Sequence, residues 1–224
     1  MMKNKSVLVI VAHPDDEVLG CGGTIAYFSS LEYSVNLLVM SDGVSSRTNS
    51  NNEAKELRKK ALNKSGEILG IDEIFLEDFP DNTMDSVPLI SIINKIESVV
   101  NSVKPSVVFT HHSGDMNIDH QLTHKAVMTA CRPTPELSVK EIYTFEVISS
   151  TDWGFDDNKF TPNFFVDISS YLDLKMKALE VYGVEMRDSP HSRSKDHCRS
   201  LAIHRGHSVG LNAAEAFMTI RILF

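Results

Sequence analysis

A histidine and three acids stand in one short run, His13-Pro14-Asp15-Asp16-Glu17, and another histidine, His120, closes a dense polar cluster much later in the chain. Imidazole and carboxylate are the ligand types of a hydrolytic zinc centre, which takes about three protein donors and keeps one position for water. His13, Asp16 and His120 would supply such a set. Asp15 would then take a proton from water made acidic by the metal, whose effect is to lower that pKa from ~16 towards ~7. Two histidines and one aspartate also accept other divalent ions, Fe2+ and Mn2+ among them.

Chemistry at these positions needs elements that bring them together. The HPDDE run follows Val7-Leu8-Val9-Ile10-Val11, an apolar and mostly β-branched run that predicts a buried strand. The later cluster, His111 to His120, follows Ser106-Val107-Val108-Phe109-Thr110, a strand of the same kind. Between them, strands at Val35–Met40 and Glu73–Leu76 alternate with helices over Val18–Phe28, Glu53–Leu69 and Leu89–Val103. A further helix is expected from about Gln121 to Ala130. This alternation predicts a Rossmann-like α/β fold, a mostly parallel sheet with helices on both faces. Its ligand site would lie at the carboxyl ends of the strands.

The glycines Gly20, Gly22 and Gly23 come too late after the first strand, and in the wrong spacing, for a dinucleotide fingerprint. They read as packing positions. Core positions of the helix over Glu53–Leu69 would be Ala54, Leu57, Ala61, Ile68 and Leu69. Ile90, Ile93, Ile96, Val99 and Val100 form a helical stripe in the one after it. Beyond Pro135, strands are expected at Ile142–Val147 and Phe164–Ile168 and a helix at Tyr171–Met186. A polar tail then closes with Ala213–Phe217. The polar stretch Val44–Asn52 reads as a loop over the site, while Trp153 and Phe155 are candidates to stack on a ring.

The chain has 224 residues, 42% of them hydrophobic, enough for one domain spanning 1–224. A formal net charge of −8 and the lack of a Lys/Arg-rich block argue against nucleic acid as a partner. Cys21, Cys131 and Cys198 have no CxxC spacing, so neither a disulfide framework nor a thiolate metal site is suggested. No stretch approaches the ~20 apolar residues of a membrane span, and no secretory leader is evident; the cytoplasm is the default compartment. Whether the chain forms a homo-oligomer stays open.

His13-Pro14-Asp15-Asp16-Glu17, paired with Asn117-Ile118-Asp119-His120, resembles the motifs of the PIG-L/LmbE-like zinc de-N-acetylases. The likeness extends over most of the chain, through the turn at Asp78–Asn82 to the Pro190-His191 segment. It implies a small-molecule substrate, an N-acetylated amino sugar or its conjugate. It also implies zinc on His13, Asp16 and His120, with Asp15 as general base. Arg58 falls where the family often has a substrate-contacting arginine, and Asp119 where an acid orients a catalytic imidazole. Better-known branches carry histidine where this chain has Asn117. An asparagine N–H can donate to an oxyanion, worth ~3 kcal/mol, but cannot shuttle a proton. Asp15 is then the expected shuttle, and His112 and His191 are further candidates for contact with the substrate.

Two other readings compete. One is an amidase acting on a thiol-linked glucosaminyl conjugate with the same metal site. The other is a metal- or sugar-binding protein without turnover, suggested by Asn117. A nucleotide-binding reading from fold alone lacks a phosphate loop.

Overall fold

In β1 (Ser6–Val11), Val7, Val9 and Val11 enter one core cluster while Leu8 and Ile10 enter another. This is the two-residue alternation of a strand covered on both faces. The computed structural model describes residues 5–46, 51–154 and 158–224. After β1 come α1 (Asp16–Ser30), β2 (Ser34–Ser41), α2 (Asn52–Leu69), β3 (Glu73–Phe79), α3 (Leu89–Val103) and β4 (Val107–His111). The second half holds α4 (Ile118–Ala130), β5 (Glu141–Phe145), β6 (Phe164–Asp167), α5 (Leu172–Val181), α6 (Lys195–His207) and β7 (Ala214–Ile222).

The strands form one sheet in the order β3-β2-β1-β4-β5-β7-β6. Strands β1 to β5 pair in parallel, and β7 lies antiparallel between β5 and β6. Helices α3 and α4 pack on one face; α1, α2, α5 and α6 cover the other. The expected Rossmann-like α/β architecture is therefore present. Its strand order reverses between β1 and β4, and a crevice opens at such a switch point. The turns after β1 and β4 are the two polar runs singled out above.

Helix α1 is interrupted at Cys21, whose φ of −149° is not helical. The N–H groups of Gly23 and Thr24 after the break donate to Glu215 on β7 at 2.9 and 2.7 Å. Lys175 of α5 balances that buried carboxylate at 2.6 Å and also donates to Leu19 O at 2.9 Å. A Cβ at Gly23 would come within 2.7 Å of the Ile168 side chain, so glycine lets α1 approach its neighbour closely. The packing reading of the glycines fits.

Several elements differ from expectation. Helix α6 was not predicted, because its buried residues are small or few, Cys198, Ala202 and Gly206. A signal existed: Ser194 caps it by accepting His197 N–H at 3.1 Å. The helix expected over Tyr171–Met186 stops at Val181 and gives way to a short 3-10 turn, Gly183–Glu185. Leu57 is 60% exposed, and Leu62 occupies the core instead; Ile90 is likewise exposed and Ile92 buried. Part of the proposed loop over the site, residues 47–50, and Phe155, Asp156 and Asp157 lie outside the described residues. Among the described residues no helix is long and apolar enough to cross a membrane.

Candidate active site

The turn after β1 is tightly held. Asp15 has φ 108°, a left-handed value that costs a non-glycine residue about 1–3 kcal/mol. Its N–H donates to Glu17 Oε2 at 2.9 Å, and its carbonyl accepts from Val18 and Leu19 to start α1. Glu17 is fully buried and accepts from Tyr182 Oη at 2.7 Å. Burial pushes Glu17 up to about 7, although the Tyr182 and Asp15 hydrogen bonds favour its charge. Glu17 thus fastens the turn and stands away from the chemistry.

His13 Nδ1, Asp16 Oδ2 and His120 Nε2 form a triangle whose three edges each measure 3.3 Å. Donors about 2.0–2.1 Å from a tetrahedral zinc lie about 3.3–3.4 Å apart, so the triangle has the size of one face of that coordination shell. All three residues are buried. Carboxylates meet the opposite ring nitrogens. His13 Nε2 lies 3.1 Å from Asp119 Oδ2 and 3.4 Å from Asp81 Oδ1; His120 Nδ1 lies 3.1 Å from Asp115 Oδ1. Such partners fix the tautomer and orientation of a ligating imidazole. Burial works against the charge of both rings, but the acids outweigh it, raising His13 to about 9 and His120 to about 10. Asp16 goes the other way: burial would raise it, but the neighbouring histidines hold it well below the usual carboxylate range.

Asp15 lies beside the triangle. Its Oδ2 meets Arg193 Nη2 and, at 3.1 Å, Arg58 Nη2. Its Oδ1 is buried without a hydrogen-bond partner among the described residues. These groups face a cavity of about 640 Å3 whose wall also includes Asn82, Asn117, Ser150, Trp153 and Arg187. The buried donor triangle could hold a metal ion, and an acid with one unengaged oxygen stands beside it at the cavity wall.

Residues 8–131 match the family described as PIG-L, GlcNAc-PI de-N-acetylase. The chain belongs to the PIG-L family. Within it, the diacetylchitobiose deacetylase of Thermococcus kodakarensis is 26% identical over 236 residues, covering 98% of this chain and 85% of that protein. The fold matches N,N'-diacetylchitobiose deacetylase from Pyrococcus horikoshii with a TM-score of 0.80 at 22% identity, over 97% of this chain and 84% of that one. It also matches 4-carboxy-2-hydroxymuconate hydratase from Pseudomonas putida, with a TM-score of 0.79 at 22% identity over 98% of each chain. A deacetylase and a hydratase on one fold mean that the reaction must be argued from the site.

The PIG-L motifs account for most, but not all, of the residues brought together. His13, Asp15, Asp16, Asp119 and His120 lie together in the structure. Arg58 is buried despite its neighbours Lys59 and Lys60, with its Nη1 2.8 Å from Glu185. Asn117 caps α4: its Oδ1 accepts from Asp119 N at 2.8 Å and its Nδ2 donates to Asn82 at 3.1 Å. His112 does not line the cavity; it is buried, with Nε2 2.9 Å from Asn158 O. His191 also stays outside, and its Nδ1 accepts the Arg193 N–H at 2.9 Å. His111 is a buried strand end that stacks on the His120 ring at 3.9 Å between centroids. Asp81, read from sequence as a turn former, faces His13. Asp115 lay within the polar run but had no assigned role, and nothing local marked Arg193 as the partner of Asp15.

Proposed function

We propose that this protein is a metal-dependent hydrolase that removes the acetyl group from an N-acetylated amino sugar or its conjugate. The 3.3 Å donor triangle beside the unengaged Oδ1 of Asp15 carries the reading, and the deacetylases among the relatives favour the bond it would cut. His13, Asp16 and His120 would hold the ion. Zinc suits the donors and the edge lengths; Fe2+ is accepted by the same donor types. When bound, the ion supplies Lewis acidity, making water acidic near neutral pH and polarising the acetyl carbonyl.

Asp15 then moves the proton. Its Oδ1 accepts one from the attacking water and returns it to the sugar nitrogen as the C–N bond breaks, leaving a free amine and acetic acid, which gives its proton to solvent and departs as acetate. Arg58 holds the other carboxylate oxygen and so fixes the direction of the free one. Asp119 and Asp81 orient His13, and Asp115 orients His120. Asn117 serves first as a helix cap, and the amide it offers is engaged by Asn82; a contact with the acyl oxygen would require that pair to open. His112 and His191 support the walls of the site, so their contact with substrate is indirect. Three buried, unpaired thiols suit a reducing compartment such as the cytoplasm.

The test is acetate release from a panel of N-acetylglucosamine derivatives by zinc-loaded protein, with Asp15→Asn as control. Release is expected from at least one, with kcat falling about 10^2–10^4-fold in the variant while metal stays bound. Metal-loaded protein that releases no acetate from any of them would point to a binder or a different bond. Amine release, without acetate, from a thiol-linked N-acylglucosaminyl conjugate added to the panel would select the conjugate amidase.

A further inference from the structure

Several polar groups around the cavity are engaged within the protein or shielded from solvent. The Arg58 guanidinium is 5% exposed: its Nη2 meets Pro14 O and Asp15, its Nη1 lies 2.8 Å from Glu185, and its Nε, without a hydrogen-bond partner among the described residues, is buried away from solvent. Asn117 spends its oxygen on α4 and its nitrogen on Asn82. His13 and His120 each place one nitrogen in the donor triangle and the other 3.1 Å from a carboxylate oxygen. Arg193 differs. One of its N–H groups meets Asp15, its side chain is 23% exposed, and its Nε and Nη1 have no hydrogen-bond partner among the described residues. It lines the same cavity as Asp15 and the triangle.

We propose that Arg193 is a catalytic residue, the donor that meets the acetyl oxygen as that atom gains negative charge. This rests on the deacetylation reading above. A guanidinium binds a neutral carbonyl weakly and an oxyanion strongly, so its contact grows towards the transition state and raises kcat. It keeps its own proton throughout. Asp15 therefore carries the only proton transferred, and Arg193 contributes charge.

The backbone around Arg193 is suited to this task because it is pinned on both sides. Arg187 N–H donates to Arg193 O at 3.0 Å, and Arg187 and Ser194 form a bridge. His191 N–H donates to Asp188 O at 3.1 Å, while the His191 ring receives the Arg193 N–H. Ser194 then starts α6. A donor placed by a closed loop and a helix cap does not have to be reorganised when charge develops.

The experiment compares wild type, Arg193→Gln and Arg193→Lys on the derivative that wild type deacetylates. It reads kcat, KM, zinc content and affinity for the methylphosphonamidate of the same sugar, a tetrahedral anionic mimic. In Arg193→Gln, kcat and mimic affinity should both fall about 10^2–10^3-fold with KM nearly constant. Arg193→Lys should lie between. A kcat within fivefold of wild type in the Gln variant overturns the proposal. So does a fall in kcat with mimic affinity unchanged, which would assign Arg193 to holding Asp15 alone. If the Gln variant loses its zinc, the Lys variant decides: intermediate kcat and mimic affinity support the proposal, and wild-type values of both overturn it. Absence of acetate release by wild type sinks the deacetylation reading, and this proposal with it; that result is distinct because it is read before any variant.

Discussion

Asp115 and His120 are joined at 3.1 Å, Oδ1 to Nδ1, and the same carboxylate accepts from Thr151 Oγ1 at 2.6 Å and Asn117 N at 2.8 Å. The acid is itself fixed, so it can fix the ring. Burial would raise Asp115, but His120 and its hydroxyl partners outweigh this and hold it at about 2. It therefore stays charged across the working range. Asp115→Asn should lower zinc affinity about 10–100-fold, measured by competition with a chromophoric chelator. An affinity within twofold of wild type would remove the orienting role.

Metal uptake should release protons. His13 at about 9 and His120 at about 10 both carry a proton at pH 7 in the metal-free protein, whereas a ligating imidazole must be neutral. Raised values mean that the proton is held below pH 9 and lost only as pH climbs through 9 to 10. Affinity should therefore fall at least about tenfold for each pH unit below 9. Calorimetry in buffers of different ionisation enthalpy counts the protons; no release at pH 7 would contradict these assignments.

Asn117 separates stability from chemistry. Asn117→Ala removes the cap of α4 and should cost about 1 kcal/mol, which is a fall in Tm of about 2–4 °C for a chain of this length. Asn117→Asp retains an acceptor and should keep Tm close to wild type. Thermal melts of the two variants check this, and equal losses in both would show that the cap is not what Asn117 contributes.

The pair Lys175–Glu215 holds α1 across its break. Burial pulls Lys175 down, but the Glu215 charge outweighs it, so the amine stays protonated. Lys175→Met leaves a buried carboxylate without its cation and should destabilise by about 3–5 kcal/mol. Adding Glu215→Gln should restore part of that loss, since it removes the unpaired charge and its amide oxygen can still accept from one of the two α1 N–H groups. Denaturant unfolding measures both, and a double variant less stable than the single one would refute the charge argument.

Local order was readable in the sequence where one residue type dominates its own neighbourhood. The apolar runs before His13 and His111 could only be buried strands, and alternation with helices set a parallel sheet. The spacing of His13, Asp15 and Asp16 placed their side chains together because a turn into a helix leaves few other arrangements. His120 could be added because it follows a second strand end. Helix α6 escaped notice since its packing uses alanine, cysteine and glycine, whose burial leaves little periodic signal.

Tertiary structure decided what lies across chain separations that no local rule spans. Arg58, one of three consecutive basic residues, is buried because Glu185 and Asp15 meet it there. Asp81 and Asp119 share His13, and Asp115 takes His120, because β1 and β4 lie side by side at the switch point. Arg193 reaches Asp15 from a segment that follows α5. The sequence by itself determined which atoms could bind a metal and move a proton. Folding decided their distances, and through those distances which acids act on substrate, which orient a ligand and which hold the turn.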